Sequence, residues 1–327
     1  MCYLSGAKND IFIRNKQTDV VVYYLRPVFK IAYHPSYSHP LPEGHRFPME
    51  KYELIPEQLL YEGTVQSGSF FEPGMVDFST VLLAHDVEYC QQVVDLTLPA
   101  AMVRRIGFPM SRALVAREFH IVQGTLDGCT YACADGVAFN VAGGTHHAGR
   151  DWGEGFCLLN DQAVAAAYLV RRAGFRQVLI IDLDVHQGNG TAQIFSNEPR
   201  VFTFSVHCET NFPFRKERSD TDVGLPEGVA DEPYLTELDK QLRSVFQKVQ
   251  PDFVFYQAGV DVLETDRLGK LALTPQGCAQ RDELVFTYCR RYNVPLQVSM
   301  GGGYSLHIRD IVDGHCQTFR TAVRLYD

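Results

Sequence analysis

The stretch VLIIDLDVHQGNG, Val178 to Gly190, drives four apolar residues straight into Asp182, Asp184 and His186. On an extended backbone, residues i and i+2 point to one side, about 6.5 Å apart along the chain. The carboxylate of Asp184 and the imidazole of His186 can therefore converge on one ion. A further carboxylate would complete a three-ligand site with an open position, the pattern of catalytic zinc. Asp261, which closes another apolar run, is the best candidate. A strand-end salt bridge is the ordinary reading of Asp-x-His alone, and the matching context of Asp261 turns the balance towards a metal. Asp182 sits closer to the core, where a carboxylate must be paired or bind a cation. It is either a monovalent-cation ligand or the partner that orients a histidine.

Two adjacent histidines, His146 and His147, follow Gly143-Gly144-Thr145. Packing does not explain such a pair, and beside a metal it points to a general base and a general acid. The run Gly301-Gly302-Gly303-Tyr304 permits a tight turn that leaves a phenol projecting. A hydroxyl there can donate to a developing oxyanion. A turn followed by a core aromatic competes for this motif taken alone.

These residues need elements to bring them together. From Gly136 onward, short apolar runs alternate with helical patterns. The runs are Val137–Val141, Val178–Ile181, Val201–Phe204, Phe253–Tyr256 and Leu296–Val298, with helices expected at Ala163–Arg172, Tyr234–Val249 and Gln280–Arg291. Apolar runs separated by helices read as a parallel sheet in an α/β fold. Every chemical group above follows the carboxyl end of such a run, where open α/β sheets bind ligands. Together the endings describe one composite site. No repeat or linker divides the chain, so a single large domain is expected. The run Val20–Leu25 reads as either an added edge strand or part of a disordered lead.

The chain of 327 residues is 46% hydrophobic and 21% charged, with a net charge of −9. An acidic chain without a Lys/Arg run is a poor nucleic-acid binder, and the charge would suit a cationic substrate. Nine cysteines are scattered without a C-x2-C pair, which argues against a structural zinc knuckle and for buried reduced thiols. No apolar run approaches the ~18 residues needed to span a bilayer. No signal-peptide pattern opens the chain, and a cytoplasmic protein is expected.

The motifs GGTHHA (143–148), GFCLLND (155–161), DLDVHQGNG (182–190), AGVDVLETDRLG (258–269) and GGGY (301–304) closely resemble the zinc-dependent histone deacetylase family. That family includes bacterial acetoin-utilisation and acetylpolyamine amidohydrolase-like members. The resemblance begins near Phe29 and continues nearly to the end, leaving residues 1–27 as an extension of unknown role before a catalytic domain at 28–327. The HQGNG form and DRLG point towards the class IV branch with its bacterial relatives. The resemblance implies the arginase–deacetylase fold, a single parallel sheet of about eight strands flanked by helices. It implies one Zn²⁺ held by Asp184, His186 and Asp261. His147 would be the general base, His146 its electrostatic or acid partner, and Tyr304 the donor that polarises the acyl carbonyl. Gly155 and Phe156 would line the channel for a lysine stem, with Leu268 near its floor or rim. A K⁺ ion would be held by Asp182 with backbone carbonyls around Asp184, His186, Ser205 and Val206.

One letter departs from much of the family. Asn189 stands where many members carry Asp as the partner of the second histidine. An amide can orient an imidazole without stabilising imidazolium by charge. The implied reaction is hydrolysis of an acyl-lysine side chain in a protein, or of a related N-acyl amine such as an acetylated polyamine or metabolite. The class IV likeness adds longer acyl chains. An arginase-like two-metal ureohydrolase needs extra acids where Gly188 and Leu263 stand. A non-catalytic acyl-lysine binding module on the same scaffold would not need the full catalytic set, which is present.

Overall fold

The computed structural model describes residues 10–14, 21–25 and 29–327. Its centre is one eight-stranded sheet, every neighbouring pair of which is parallel. In chain order, β1 is Asp10–Arg14, β2 Val21–Leu25, β3 Lys30–Ala32, β4 Phe70–Phe71 and β5 Val137–Asn140. They are followed by β6 at Val178–Asp182, β7 at Val201–Cys208, β8 at Thr221–Leu225, β9 at Phe253–Gln257 and β10 at Leu296–Ser299. The sheet order is β4-β3-β5-β10-β9-β6-β7-β8. The five runs read from the sequence are thus five consecutive strands at the centre of the sheet. They are apolar throughout because helices cover both faces of a parallel sheet.

Three details differ from the sequence reading. Val20 lies outside the described residues, and Val21–Leu25 is not an edge of the main sheet. It pairs antiparallel with Asp10–Arg14 in a separate two-stranded sheet. Ser205, Val206 and His207 lie inside β7 rather than after it, because β8 extends the pairing from Phe204 to Cys208. The helices begin earlier than expected, at Asp161, Asp231 and Pro275. The first is capped by the Asn160 side chain, which accepts from Ala163 N at 3.0 Å. The third starts with Pro at its first turn behind Thr274, whose hydroxyl accepts from Gly277 N at 3.0 Å.

The expectation of unpaired thiols holds among the described cysteines: seven of the eight are buried and none forms a disulfide. Among the described residues, no helix is long and apolar enough to cross a membrane.

The strand exits that carry the candidate site are tied from behind by a buried arginine. Arg281, on the helix Pro275–Tyr292, donates through Nη1 to the carbonyls of Leu183 at 3.2 Å and Gly259 at 2.5 Å. One of these oxygens follows β6 and the other follows β9. The charge of Arg281 is met by Asp282, at 2.9 Å from Nε. Asp282 also accepts from the Tyr256 hydroxyl at 2.5 Å and the Thr318 hydroxyl at 2.7 Å. Replacing Arg281 by Met leaves Asp282 without its counter-charge in the core and takes the donor from two carbonyls. Removing one member of such a buried pair costs about 3–5 kcal/mol. Urea denaturation of Arg281→Met should show a correspondingly lower midpoint, and an unchanged midpoint would refute the tie.

Candidate active site

The Asp184 and Asp261 carboxylates and the His186 ring meet at the carboxyl ends of β6 and β9. Their ligand atoms all lie within 4.8 Å of one another, and all three residues are buried. His186 Nδ1 is 3.0 Å from Asp184 Oδ1 and 3.1 Å from Asp261 Oδ2. Among the described residues this is the group of His, Cys, Asp and Glu side chains able to hold an ion.

Backbone donors fix each carboxylate. Asp184 Oδ1 accepts from His186 N at 3.0 Å and its Oδ2 from Gly302 N at 2.9 Å. Asp261 Oδ1 accepts from Val185 N at 3.0 Å. The loop after β10 must therefore touch both acids, and only glycine fits. A Cβ on Gly302 would lie 2.0 Å from Asp261 Oδ2. The Lys51 ammonium, fully buried, braces the same loop by donating to Gly301 O at 2.9 Å. Burial pulls its pKa down to about 8, against the raising influence of Asp261 and Asp184.

The electrostatics test whether a cation belongs here. Burial raises the pKa of Asp261, and the Asp184 charge raises it further, to about 7. Burial would lower His186, but hydrogen bonds to Asp184 and Asp261 overcome it and raise it to about 10. The two acids thus favour a positive charge between them. Two carboxylate oxygens and an imidazole nitrogen are also the donor set of zinc and similar divalent ions. The residues fit a metal.

The histidine pair is differentiated by its partners. His146 Nδ1 meets Asp182 Oδ2 at 2.7 Å. Burial works against its protonation, yet the charges of Asp182 and Asp184 raise it to about 9. His147 Nδ1 meets Asn189 Oδ1 at 2.7 Å, while Asn189 Nδ2 donates to Glu154 Oε1 at 2.6 Å. Only the amide nitrogen can donate to a carboxylate, so the amide oxygen faces the ring and His147 Nδ1 carries the proton. Its Nε2 is left with the lone pair. Burial, then the charges of His146 and His186, push the His147 pKa well below its usual value. The neighbouring rings, 4.1 Å apart, are thus driven in opposite directions.

The loop 143–149 that carries them is clamped twice. Asp161 Oδ1 accepts from Gly144 N at 2.8 Å and Thr145 N at 2.9 Å. Buried His85 bridges Gly149 O, at 2.8 Å from its Nδ1, and Asn160 N, which donates to its Nε2 at 2.9 Å.

A channel of about 420 Å³ leads to the site, lined by Gly155, Phe156 and Leu268, by Tyr304 and by Phe212. Gly155 is needed by close approach: its φ is +56°, and a Cβ would lie 2.8 Å from His147 Cδ2. Phe156 is also left-handed, at φ +66°, a strained conformation for a bulky residue. The structure holds it there through Phe156 N to Ile106 O at 2.7 Å and Gly155 N to Arg105 O at 3.0 Å. The rings of Phe47 at 5.1 Å and Phe108 at 5.3 Å pack around it. Tyr304 N donates to Asp266 Oδ2 at 2.6 Å. Its phenol is held well above the usual range by burial and by the charges of Asp261 and Asp184, so it stays a donor.

Asp182 lies opposite Ser205 in the β6–β7 register, and the Ser205 hydroxyl is 2.9 Å from His207 Nδ1. The sequence reading missed Phe212, Glu154, His85 and Lys51. Glu154 was findable as the lone acid beside Gly155-Phe156. Phe212, in a short Pro-containing loop, and Lys51, on a helix where lysine is ordinarily exposed, carried no local signal.

The all-parallel sheet with its strand-end Asp–His–Asp cluster defines an α/β protein with a metal-capable centre. A family model described as histone deacetylase domain matches residues 45–319, and the chain belongs to that family. It is 45% identical over 298 residues to an uncharacterised protein of Picosynechococcus, covering 91% of this chain and 99% of the relative. It is 30% identical to histone deacetylase 2 of Arabidopsis thaliana, over 80% of this chain and 70% of that one. A crystal structure of a histone deacetylase homologue complexed with SAHA superposes with a TM-score of 0.78 at 23% identity, covering 90% of this chain and 84% of the other. That likeness confirms the fold.

Two predictions follow from the clamps. His85 is pushed down to about 4 by burial, below its unfolded value near 6.5. Its contribution to stability is therefore complete above pH 6.5 and is lost as pH falls towards 4, on the order of 3 kcal/mol in all. The fall in denaturation midpoint between pH 7 and pH 5 should be smaller in His85→Gln than in the native chain. Equal falls would exclude His85 as the titrating group. For Asn189→Asp, the new carboxylate favours the charged form of His147 and raises its pKa. Because a base works only when neutral, the acid limb of the kcat/KM profile should move to higher pH. The same variant sets two carboxylates side by side at Glu154, so adding Glu154→Gln should recover stability while keeping the shifted limb. An unmoved limb would count against this partnership.

Proposed function

We propose that the chain is a zinc-dependent deacylase acting on acyl-lysine side chains or related N-acyl amines. The observation that supports it best is the pairing of the Asp184–His186–Asp261 cluster with a histidine whose Nε2 lone pair is free, at the end of an apolar channel. Asp184, His186 and Asp261 would hold Zn²⁺. When bound, the metal polarises the acyl carbonyl and lowers the pKa of water towards ~7.

The remaining work falls to the chain's own side chains. His147 Nε2 takes the proton of the attacking water, with Nδ1 held on Asn189. His146, paired with Asp182, keeps a positive charge beside the reacting carbonyl, and a protonated histidine of the pair supplies the leaving amine. The Tyr304 hydroxyl donates to the oxygen that gains charge. Phe156, Gly155, Phe212 and Leu268 exclude water from the stem of the amine. Asp182 and the carbonyls around Asp184, His186, Ser205 and Val206 would hold K⁺, behind the histidine pair. Residues 28–327 form the catalytic unit in this reading.

Two substitutions and a chelator test it. The native chain should release acetate from an acetyl-lysine peptide and lose that activity when a chelator removes the metal. Asp261→Ala should purify without zinc and be inactive; full activity would sink the metal assignment. Tyr304→Phe should retain zinc and lose about 10²–10³ in kcat, the usual cost of one oxyanion donor.

A further inference from the structure

The mouth of the channel carries the opposite sign to the chain as a whole. The protein has a net charge of −9. Yet the charged residues lining the channel mouth are Arg46, Arg105 and Lys270, with no Asp or Glu among them. An adjoining hollow shares Arg46 and Tyr304 with the channel and adds Arg267, with Glu50 its one acid.

Two of these cations are already neutralised. Arg105 pairs with Glu154 at 2.6 Å, and Lys270 with Glu227 at 2.8 Å. Arg46 and Arg267 are different: both are exposed, and among the described residues neither has a carboxylate within ion-pair distance. Arg46 stands at the entrance, its guanidinium 5.1 Å from the ring centroid of the channel wall Phe156. Arg267, in the adjoining hollow, is placed by its neighbours. Asp266 before it holds Tyr304 N, and Leu268 after it lines the channel. Phe214, 90% exposed, adds an apolar contact at the same rim.

Once an acyl group is at the site and the amine stem fills the channel, the far end of the substrate emerges at a rim where Arg46 lines the channel and Arg267 lines the adjoining hollow. A guanidinium binds a carboxylate with two parallel hydrogen bonds and repels an ammonium. Resting on the deacylase reading above, we propose that the mouth selects N-acyl amines bearing carboxylates at the end remote from the acyl group. The substrate is an acyl-lysine in an acidic surrounding, and basic tails and acetylated polyamines are disfavoured.

The test compares kcat/KM of the full, zinc-loaded chain on three peptides of equal length. Each carries a central acetyl-lysine, flanked by Asp and Glu, by Ser and Ala, or by Lys and Arg. Free Nε-acetyl-lysine and a monoacetylated diamine complete the panel. The acidic peptide should exceed the basic one by about tenfold or more, chiefly through KM, with the ratio shrinking in high salt. The double variant Arg46→Glu, Arg267→Glu should bring that ratio below one. A remote charge reversal, Arg243→Glu, should leave it unchanged. Faster turnover of free acetyl-lysine than of the monoacetylated diamine, which carries an ammonium without the carboxylate, would also support the rule. An equal or inverted peptide order in the native chain would overturn the proposal.

Binding of the same peptides by fluorescence anisotropy separates the two readings. Preference for the acidic peptide without any turnover would retain the rim assignment and defeat the deacylase reading. Turnover without any charge preference would do the reverse.

Discussion

Two carboxylates buried at the carboxyl edge of one parallel sheet are the constraint on which this molecule depends. Asp184 and Asp261 come from strands that are hydrogen-bonded neighbours, so the fold itself forces them together. Like charges in a low-dielectric interior repel strongly and cannot both remain without a counter-charge. Much of the surrounding structure reduces that cost. Backbone N–H groups of Val185, His186 and Gly302 point at the carboxylate oxygens. Lys51 is buried on the far side of the glycine turn, and Arg281 binds the carbonyls at the strand exits. These groups reduce the repulsion without filling the space between the acids, which a divalent cation suits.

The same field explains why two adjacent histidines differ. His146 looks towards Asp182 and Asp184 and gains positive charge. His147 meets an amide, and the charges of His146 and His186 act on it from either side. The neutrality of Asn189 therefore matters beyond its hydrogen bond. Its amide nitrogen satisfies Glu154, which in turn neutralises Arg105 at the channel mouth. Ring orientation, base strength and one rim charge are thus linked through a single side chain. An aspartate there would break the link at Glu154, because two carboxylates would then face each other.

The legible part of the fold was its centre. Runs such as VLII and FVFY are apolar without interruption because they are covered on both faces. Their polar endings exposed the site, since a charged residue directly after such a run needs a reason. The edges were not legible. β4 has two residues and β3 has three, too short for any periodic signal. β8, TDVGL, alternates exposed and half-buried positions and reads as a loop until its pairing with β7 is known. Functional residues were missed for a similar reason. His85, Lys51 and Phe212 act through contacts more than fifty positions away or from irregular loops, and local spacing carries no trace of either.

Net charge misled in the opposite way, by being true of the whole and false of the part that matters. A count of Asp and Glu over Lys and Arg averages over a surface, whereas a substrate meets only the mouth of one channel. Within a Debye length of about 8 Å, local charges dominate and distant ones are screened. At this mouth Glu154 and Glu227 are taken up by Arg105 and Lys270, and among the described residues Arg46 and Arg267 have no carboxylate partner. The acidic composition that seemed to favour a cationic substrate therefore says little about binding. What the rim presents to an incoming molecule is guanidinium and exposed aromatic surface. Membership of a family named for histones does not decide the point, because the residues that would hold the metal and move protons lie in the buried site, whereas Arg46 and Arg267 are exposed at its rim.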